Sequence, residues 1–175
     1  MSGPLRVVVT GSESTGKTTL AARLAVHLGT AWLPEFSRAY AESAGRPLTR
    51  DDVEPIARGQ LAAEREAEAR AGRLIVLDTD VLSTLVYGAH YYGHAPAWIA
   101  DALRDRPADL YLLCDIDVPW VAGPARDRGD LREEMHVRFA DAVRRTGVPT
   151  VVIRGGWDER FRTAAAAVDA LLAAR

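Results

Sequence analysis

The segment Gly11-Ser12-Glu13-Ser14-Thr15-Gly16-Lys17-Thr18 separates two glycines by four residues and follows the second with a lysine and a hydroxyl. It is entered from an apolar, β-branched run at 5–10 and left through residues 19–28, whose apolar positions recur at helical spacing. A strand, tight loop and helix in that order aim consecutive backbone N–H groups at one point, where the helix dipole adds partial positive charge. The chemistry is polyphosphate binding. Residues 11–16 and Thr19 would cradle the phosphates, Lys17 would reach the β- and γ-phosphates, and the Thr18 hydroxyl would ligate the Mg²⁺ that bridges them in ATP. Composition agrees: Lys17 is the only lysine among 22 basic residues, the rest being arginine. A planar guanidinium fork does not replace a slim ammonium among phosphates.

Carboxylates recur at the ends of the other apolar runs. Asp78 follows Leu74-Ile75-Val76-Leu77, a position from which an acid beside a phosphate loop can hold Mg²⁺. Asp80 either caps the next helix or faces the acceptor. Glu35 closes the second apolar run and is a candidate base for an acceptor hydroxyl, with Arg38 three residues on to steady substrate or phosphate; a surface ion pair is the alternative. Arg126, Arg128 and Arg132 punctuate a stretch containing Gly123, Pro124 and Gly129, in a lid expected at about 119–134. Such arginines would close over a transferring phosphoryl group, Arg126 catalytically and Arg128 and Arg132 on the nucleotide; a solvated charged loop has the same composition. His90 and His94 are four apart, but glycines interrupt the helix that paired metal ligands would need. An aromatic wall for the acceptor, or plain packing, accounts for them better.

The elements that must position these groups alternate. Short apolar strands are expected at 5–10, 30–33, 74–77, 110–114 and 150–153, with helices at 19–28 and 53–71 and at the alanine-rich C-terminus. Uninterrupted apolar strands alternating with helices indicate an α/β fold, a parallel sheet covered on both faces, with function at the carboxyl ends of the strands. A loop is expected from the second strand through Pro47, and Glu64, Arg65, Glu66, Glu68 and Arg70 are read as the solvated outer face of the long helix.

At 175 residues and 48% hydrophobic content the chain suits a single domain, residues 1–175. A net charge of −2, with acids interleaved among the arginines, gives no nucleic-acid footprint. The lone Cys114 excludes an internal disulfide and reads as buried strand filler suited to a reducing cytoplasm. No signal peptide or membrane-length apolar run is present, so a cytoplasmic location without membrane contact is expected. Oligomeric state is not legible.

Beyond the phosphate loop, Pro-Glu-Phe-Ser-Arg at 34–38, the lone glutamine Gln60, Leu-Asp-Thr-Asp at 77–80, Leu-Leu-Cys-Asp-Ile-Asp-Val-Pro-Trp at 112–120, Arg126-Asp127 and Gly-Gly-Trp-Asp-Glu-Arg at 155–160 occur in order along nearly the whole chain. Together they resemble the ribosylnicotinamide kinase domain of the NadR family. The resemblance implies a P-loop NTPase fold of the nucleoside-kinase kind, with a five-stranded parallel sheet in the order 2-3-1-4-5. It implies ATP-dependent phosphorylation of the 5′-hydroxyl of nicotinamide riboside, giving nicotinamide mononucleotide. Trp120 and Trp157 stand at positions similar to aromatic residues that hold the nicotinamide ring, a stacking that suits a cationic pyridinium. Two departures are visible: Gly123 and Pro124 replace an Asp-Gly common in the family, which leaves room for another nucleoside. The DNA-binding and adenylyltransferase modules of multifunctional members are not expected in 175 residues. A nucleotide-dependent switch is the rival from another class; with no asparagine and no second lysine, the chain lacks a guanine-reading Asn-Lys-x-Asp element.

Overall fold

Five runs of mostly apolar residues build one sheet, and their neighbours in sequence cover its two faces. The computed structural model describes residues 3–121 and 129–174. In chain order the elements are β1 (Leu5–Thr10), α1 (Lys17–Leu28), β2 (Trp32–Leu33), α2 (Phe36–Ala44), α3 (Val53–Arg70), β3 (Leu74–Asp78), α4 (Val81–Tyr92), α5 (Ala97–Asp105), β4 (Leu110–Cys114), α6 (Arg132–Thr146), β5 (Thr150–Ile153) and α7 (Trp157–Ala173). Strand order is β2-β3-β1-β4-β5, every pairing parallel, as the sequence predicts.

Every residue of β1, β3 and β4 is buried, which is why these strands read as unbroken apolar runs. Val7, Val9, Val76 and Leu112 pack with Leu24 of α1 and Val168 of α7 on one face. Val8, Ile75, Leu77 and Tyr111 pack with Leu82 of α4 and Phe139 of α6 on the other. Full burial of a side chain such as Leu24 contributes about 1.5–3 kcal/mol. Cys114 is buried strand filler, its thiol pushed up to about 11 by desolvation.

Four local expectations change. β2 pairs over only two residues; Thr30 and Ala31 still bond to β3 through single contacts. The expected loop after Arg38 is α2, a nine-residue helix none of whose residues is buried. Gly88 does not break α4: its missing Cβ leaves room for the His94 carbonyl, 3.0 Å from where a Cβ would stand. The helix stops at Gly93, so His90 and His94 share no helical face, and no cluster of potential metal ligands occurs among the described residues. Glu64 and Glu68 are not solvated. Arg6 of β1 donates to Glu64 at 2.8 Å and Glu68 at 2.7 Å, and Arg106 closes on Glu68 at 2.5 Å, so α3 turns these acids inward to a buried guanidinium.

Candidate active site

β1 delivers the chain to Gly11, whose φ of +133° and lack of a side chain let β4 pass beneath: a Cβ would stand 2.8 Å from the Cys114 carbonyl oxygen. Gly16, at φ +81°, is the N-cap of α1 and supplies no side chain to the helix N-terminus. The first amides of α1 therefore remain as donors for a ligand. Inside the loop, the Thr15 hydroxyl donates to the Ser12 carbonyl at 2.9 Å, and Lys17 Nζ folds back on that same carbonyl at 2.7 Å. Thr19 is exposed at the mouth.

β3 ends beside this loop, and there Thr18 Oγ1 donates to Asp78 Oδ2 at 2.6 Å. Asp78 is fully buried; desolvation raises its pKa, opposed by the Thr18 hydrogen bond and by Lys17. Its other oxygen, Oδ1, and the buried Ser12 hydroxyl have no hydrogen-bond partner among the described residues. A hydroxyl and a half-satisfied carboxylate at one point, under open helix amides, match the donor set of a hard divalent cation beside a phosphate chain.

Glu35 is the N-cap of α2 and lies near enough to Asp78 that its charge raises the aspartate's pKa while Arg38 lowers it. Ser37 donates to Glu35 Oε1 at 2.9 Å and Arg38 to Oε2 at 3.4 Å, so the ion pair foreseen as an alternative forms and also fixes the carboxylate at the mouth. On α4, Tyr87 stacks on Tyr91 with ring centroids 6.0 Å apart. Burial raises the Tyr87 phenol well above its ordinary value, and Glu13 and Glu35 add to the shift. An aromatic wall thus stands by the acids, built by tyrosines rather than by the histidine pair.

The structure does not bring together all the expected residues. Asp80 is sealed: Oδ1 accepts the Leu82 N–H at 3.0 Å, capping α4, and Oδ2 accepts the Tyr111 hydroxyl at 2.7 Å. Burial, then the neighbouring Glu64, pushes its carboxyl up to about 6. Of the two roles open to it, helix cap is the one its place allows, and the acceptor contact is withdrawn. Trp157 follows β5, the edge opposite β2, four strand spacings or roughly 19 Å from Glu35's strand. Its ring lies on the phosphate loop, 2.5 Å from where a Gly16 Cβ would stand, and is half exposed. It therefore flanks the phosphate loop. Trp120 is half-buried after β4, and its neighbour Val121 donates its N–H to the Ser14 hydroxyl at 2.8 Å. Arg132 opens α6 and donates to the Ser14 carbonyl at 3.3 Å. Arg126 and Arg128, with Gly123 and Pro124, lie outside the described residues.

Sequence reading missed one organising side chain. Arg160 is almost wholly buried and donates to Thr15 O at 3.1 Å, Asp115 O at 3.0 Å and Gly155 O at 3.0 Å, and it pairs with Asp117. One guanidinium therefore ties the phosphate loop to the exits of β4 and β5. Its only sequence signal was its place in the 155–160 block.

A family model described as an AAA domain matches residues 6–160. Among curated proteins, the trifunctional NAD biosynthesis/regulator protein NadR of Escherichia coli is 28% identical over 162 residues, 89% of this chain and 40% of that protein. The Salmonella typhimurium NadR is 29% identical over 127 residues, 70% of this chain and 31% of that one. The chain thus spans less than half the length of these relatives. A crystal structure of NadR in complex with NR superimposes with a TM-score of 0.78 at 28% identity, covering 98% of this chain and 50% of that one. A thymidylate kinase from Ehrlichia chaffeensis shares the fold, at a TM-score of 0.71 and 14% identity over 97% of this chain and 100% of that one.

Proposed function

The chain belongs to the AAA domain family, and on that premise we propose that it is an ATP-dependent nucleoside kinase phosphorylating a 5′-hydroxyl, with nicotinamide riboside as acceptor. One observation carries the reading: Asp78, hydrogen-bonded to Thr18 under the open N-terminus of α1, has Glu35 beside it on the neighbouring strand's exit. Phosphate cradle, metal-type donors and a separate carboxylate for the acceptor occupy one rim. The NadR structures with bound NR, and with NAD and AMP-PNP, support the choice of acceptor and donor.

ATP would supply the phosphoryl group and Mg²⁺, held by Thr18 and Asp78, would offset its charge. Lys17 would leave the Ser12 carbonyl for the β- and γ-phosphates, exchanging a neutral acceptor for an anionic one. The amides of the loop and of α1 stabilise charge that builds on the transferred group. Glu35, held by Ser37 and Arg38, keeps lone pairs free to take the acceptor's hydroxyl proton as its oxygen bonds to phosphorus and the bond to the ADP oxygen breaks. Asp78 is committed to Thr18, so the base role falls to Glu35. Arg132 steadies the loop at Ser14, and Arg126 and Arg128 are assigned to the transferred phosphate and the nucleotide as the lid expectation has it.

An ATP-consumption assay against a nucleoside panel tests the assignment. Turnover is expected with nicotinamide riboside above other nucleosides. A deoxynucleoside preference would move the acceptor, and acceptor-independent hydrolysis with every nucleoside inert would replace the kinase with a switch.

A further inference from the structure

Glu35 sits on a helix that the core barely holds: none of the nine residues of α2 is buried. A base must nevertheless stay within hydrogen-bond reach of one hydroxyl. What holds this end of α2 is a pair of consecutive residues in the middle of α3. Gly59 lies against the Cζ end of the Phe36 ring, so close that a Cβ would stand 2.1 Å from Phe36 Cζ and 2.2 Å from Cε1. Glycine within a helix costs about 1 kcal/mol against alanine, which the close approach of the ring offsets. Next to it, the buried Gln60 accepts the Phe36 N–H at 3.3 Å through Oε1 and donates through Nε2 to Glu64 Oε1 at 2.9 Å and to the Thr79 carbonyl at 3.4 Å.

Phe36 directly follows Glu35, and Thr79 directly follows Asp78 and is held at φ +66°, a left-handed conformation uncommon for threonine. One side-chain amide thus fixes the backbone next to both candidate carboxylates. Its orientation is determined, because the ionised Glu64 can only accept and so must face Nε2, leaving Oε1 for the amide of Phe36. Glu64 is itself pinned by Arg6 of β1. The chain of contacts runs from the central strand through α3 to the two acids.

We propose that Gly59 and Gln60 form a socket in which Gln60 is a positioning residue, setting Glu35 at its working distance from the Asp78 side of the site. The inference rests on the kinase reading for what the two carboxylates do, and on geometry alone for the socket. Gln60→Met keeps the length and bulk of the side chain and removes all three hydrogen bonds. Gly59→Ala displaces the Phe36 ring and leaves the buried polar bonds in place. Tyr40→Phe serves as control, since it removes only the 3.0 Å bond from the far part of α2 to Asp52.

The expected result is a fall in kcat of roughly 10²-fold in both socket variants, the size of loss that about 1 Å of misplacement produces, with KM for ATP within about twofold and the control near wild type. Amide hydrogen exchange read on the same proteins should speed up in segments 36–44 and 78–82 and remain unchanged in 17–28. An unchanged kcat in an active enzyme, or a rise in KM for ATP matching the fall in kcat, overturns the proposal; the second shows general loosening. If wild type turns over no nucleoside, the kinase reading fails and exchange alone decides: faster exchange in both segments upholds the socket, and unchanged exchange removes it. If Gln60→Met does not fold, Gly59→Ala decides by the same two readouts.

Discussion

The two rims of the site are built to different standards. On the donor rim, the phosphate loop lies between fully buried strands and is bolted by Arg160 to the exits of β4 and β5. On the acceptor rim, Glu35 and Arg38 ride on α2, which buries no residue and hangs from α3. A triphosphate presents the same charges to every enzyme that uses it, so its cradle can be fixed into the core. An acceptor pocket must follow one particular molecule, and a helix attached at a few points can be re-cut without disturbing the sheet.

The largest effect expected is on the donor rim. Lys17→Ala removes the charge that meets the transferring group and should cost 10³–10⁵-fold in kcat, by analogy with the loss of a single arginine finger. Among the described residues only one hydrogen bond, to the Ser12 carbonyl, leaves with it, so the melting temperature should hold. Near-normal turnover would show that the loop is not a phosphate cradle. Next is Arg160→Leu, which strips the Asp117 carboxylate and three carbonyls of their shared donor. Asp117 is partly exposed and can turn to water, so the cost is that of the carbonyls left without a donor, about 1–3 kcal/mol, read by denaturant unfolding. A loss under about 1 kcal/mol would mean that the loop is held by its flanking strands alone, and the contrast between rims would shrink.

On the acceptor rim the same kind of change should act on rate and spare stability. Glu35→Gln keeps an oxygen to accept from Ser37 or Arg38 but cannot take a proton. We expect kcat to fall 10²–10³-fold with KM for ATP unchanged. Since the carboxylate caps no helix amide and lies at the mouth, unfolding free energy should shift by less than about 1 kcal/mol. A large stability loss with little change in rate would make Glu35 structural.

The donor rim was the more legible of the two because its determinants are local. A glycine pattern, a lysine and a hydroxyl within eight residues specify a loop whatever surrounds it, and the buried strands announce themselves by being apolar over most of their length. What sequence misplaced depends on contacts far apart in the chain. Glu64 and Glu68 stand four residues apart on α3 among Arg65, Glu66 and Arg70, and such a polar run reads as a solvated face. Only the arrival of Arg6, from a strand that is otherwise apolar or ends in Thr10, turns it inward. Arg160 was equally opaque, because its partners at 15, 115, 117 and 155 come from three separate loops. The fold of α2 escaped notice for a physical reason too: a helix without buried residues leaves no wide apolar stripe to recognise.

Asp80 gives the finest cut between the two regions, because the sequence leaves it between helix cap and acceptor and the structure buries it as the cap of α4. Its carboxyl is pushed up to about 6 by burial and by Glu64, above the ordinary carboxylate value it regains on unfolding. The folded protein therefore keeps this proton to higher pH than the unfolded chain. Stability from this group is intact below about pH 4 and declines as pH rises through about 6, a change of about 2–3 kcal/mol. Asp80→Asn carries no charge at any of these values, yet its oxygen can still accept from Leu82 and its amide can donate to the Tyr111 hydroxyl. Denaturant unfolding from pH 4 to 7 should show the variant gaining on wild type with pH, and the nucleoside KM should stay within about twofold. Parallel stability curves would place Asp80 in a wetter site than the structure shows, and a tenfold rise in the acceptor's KM would return it to the pocket.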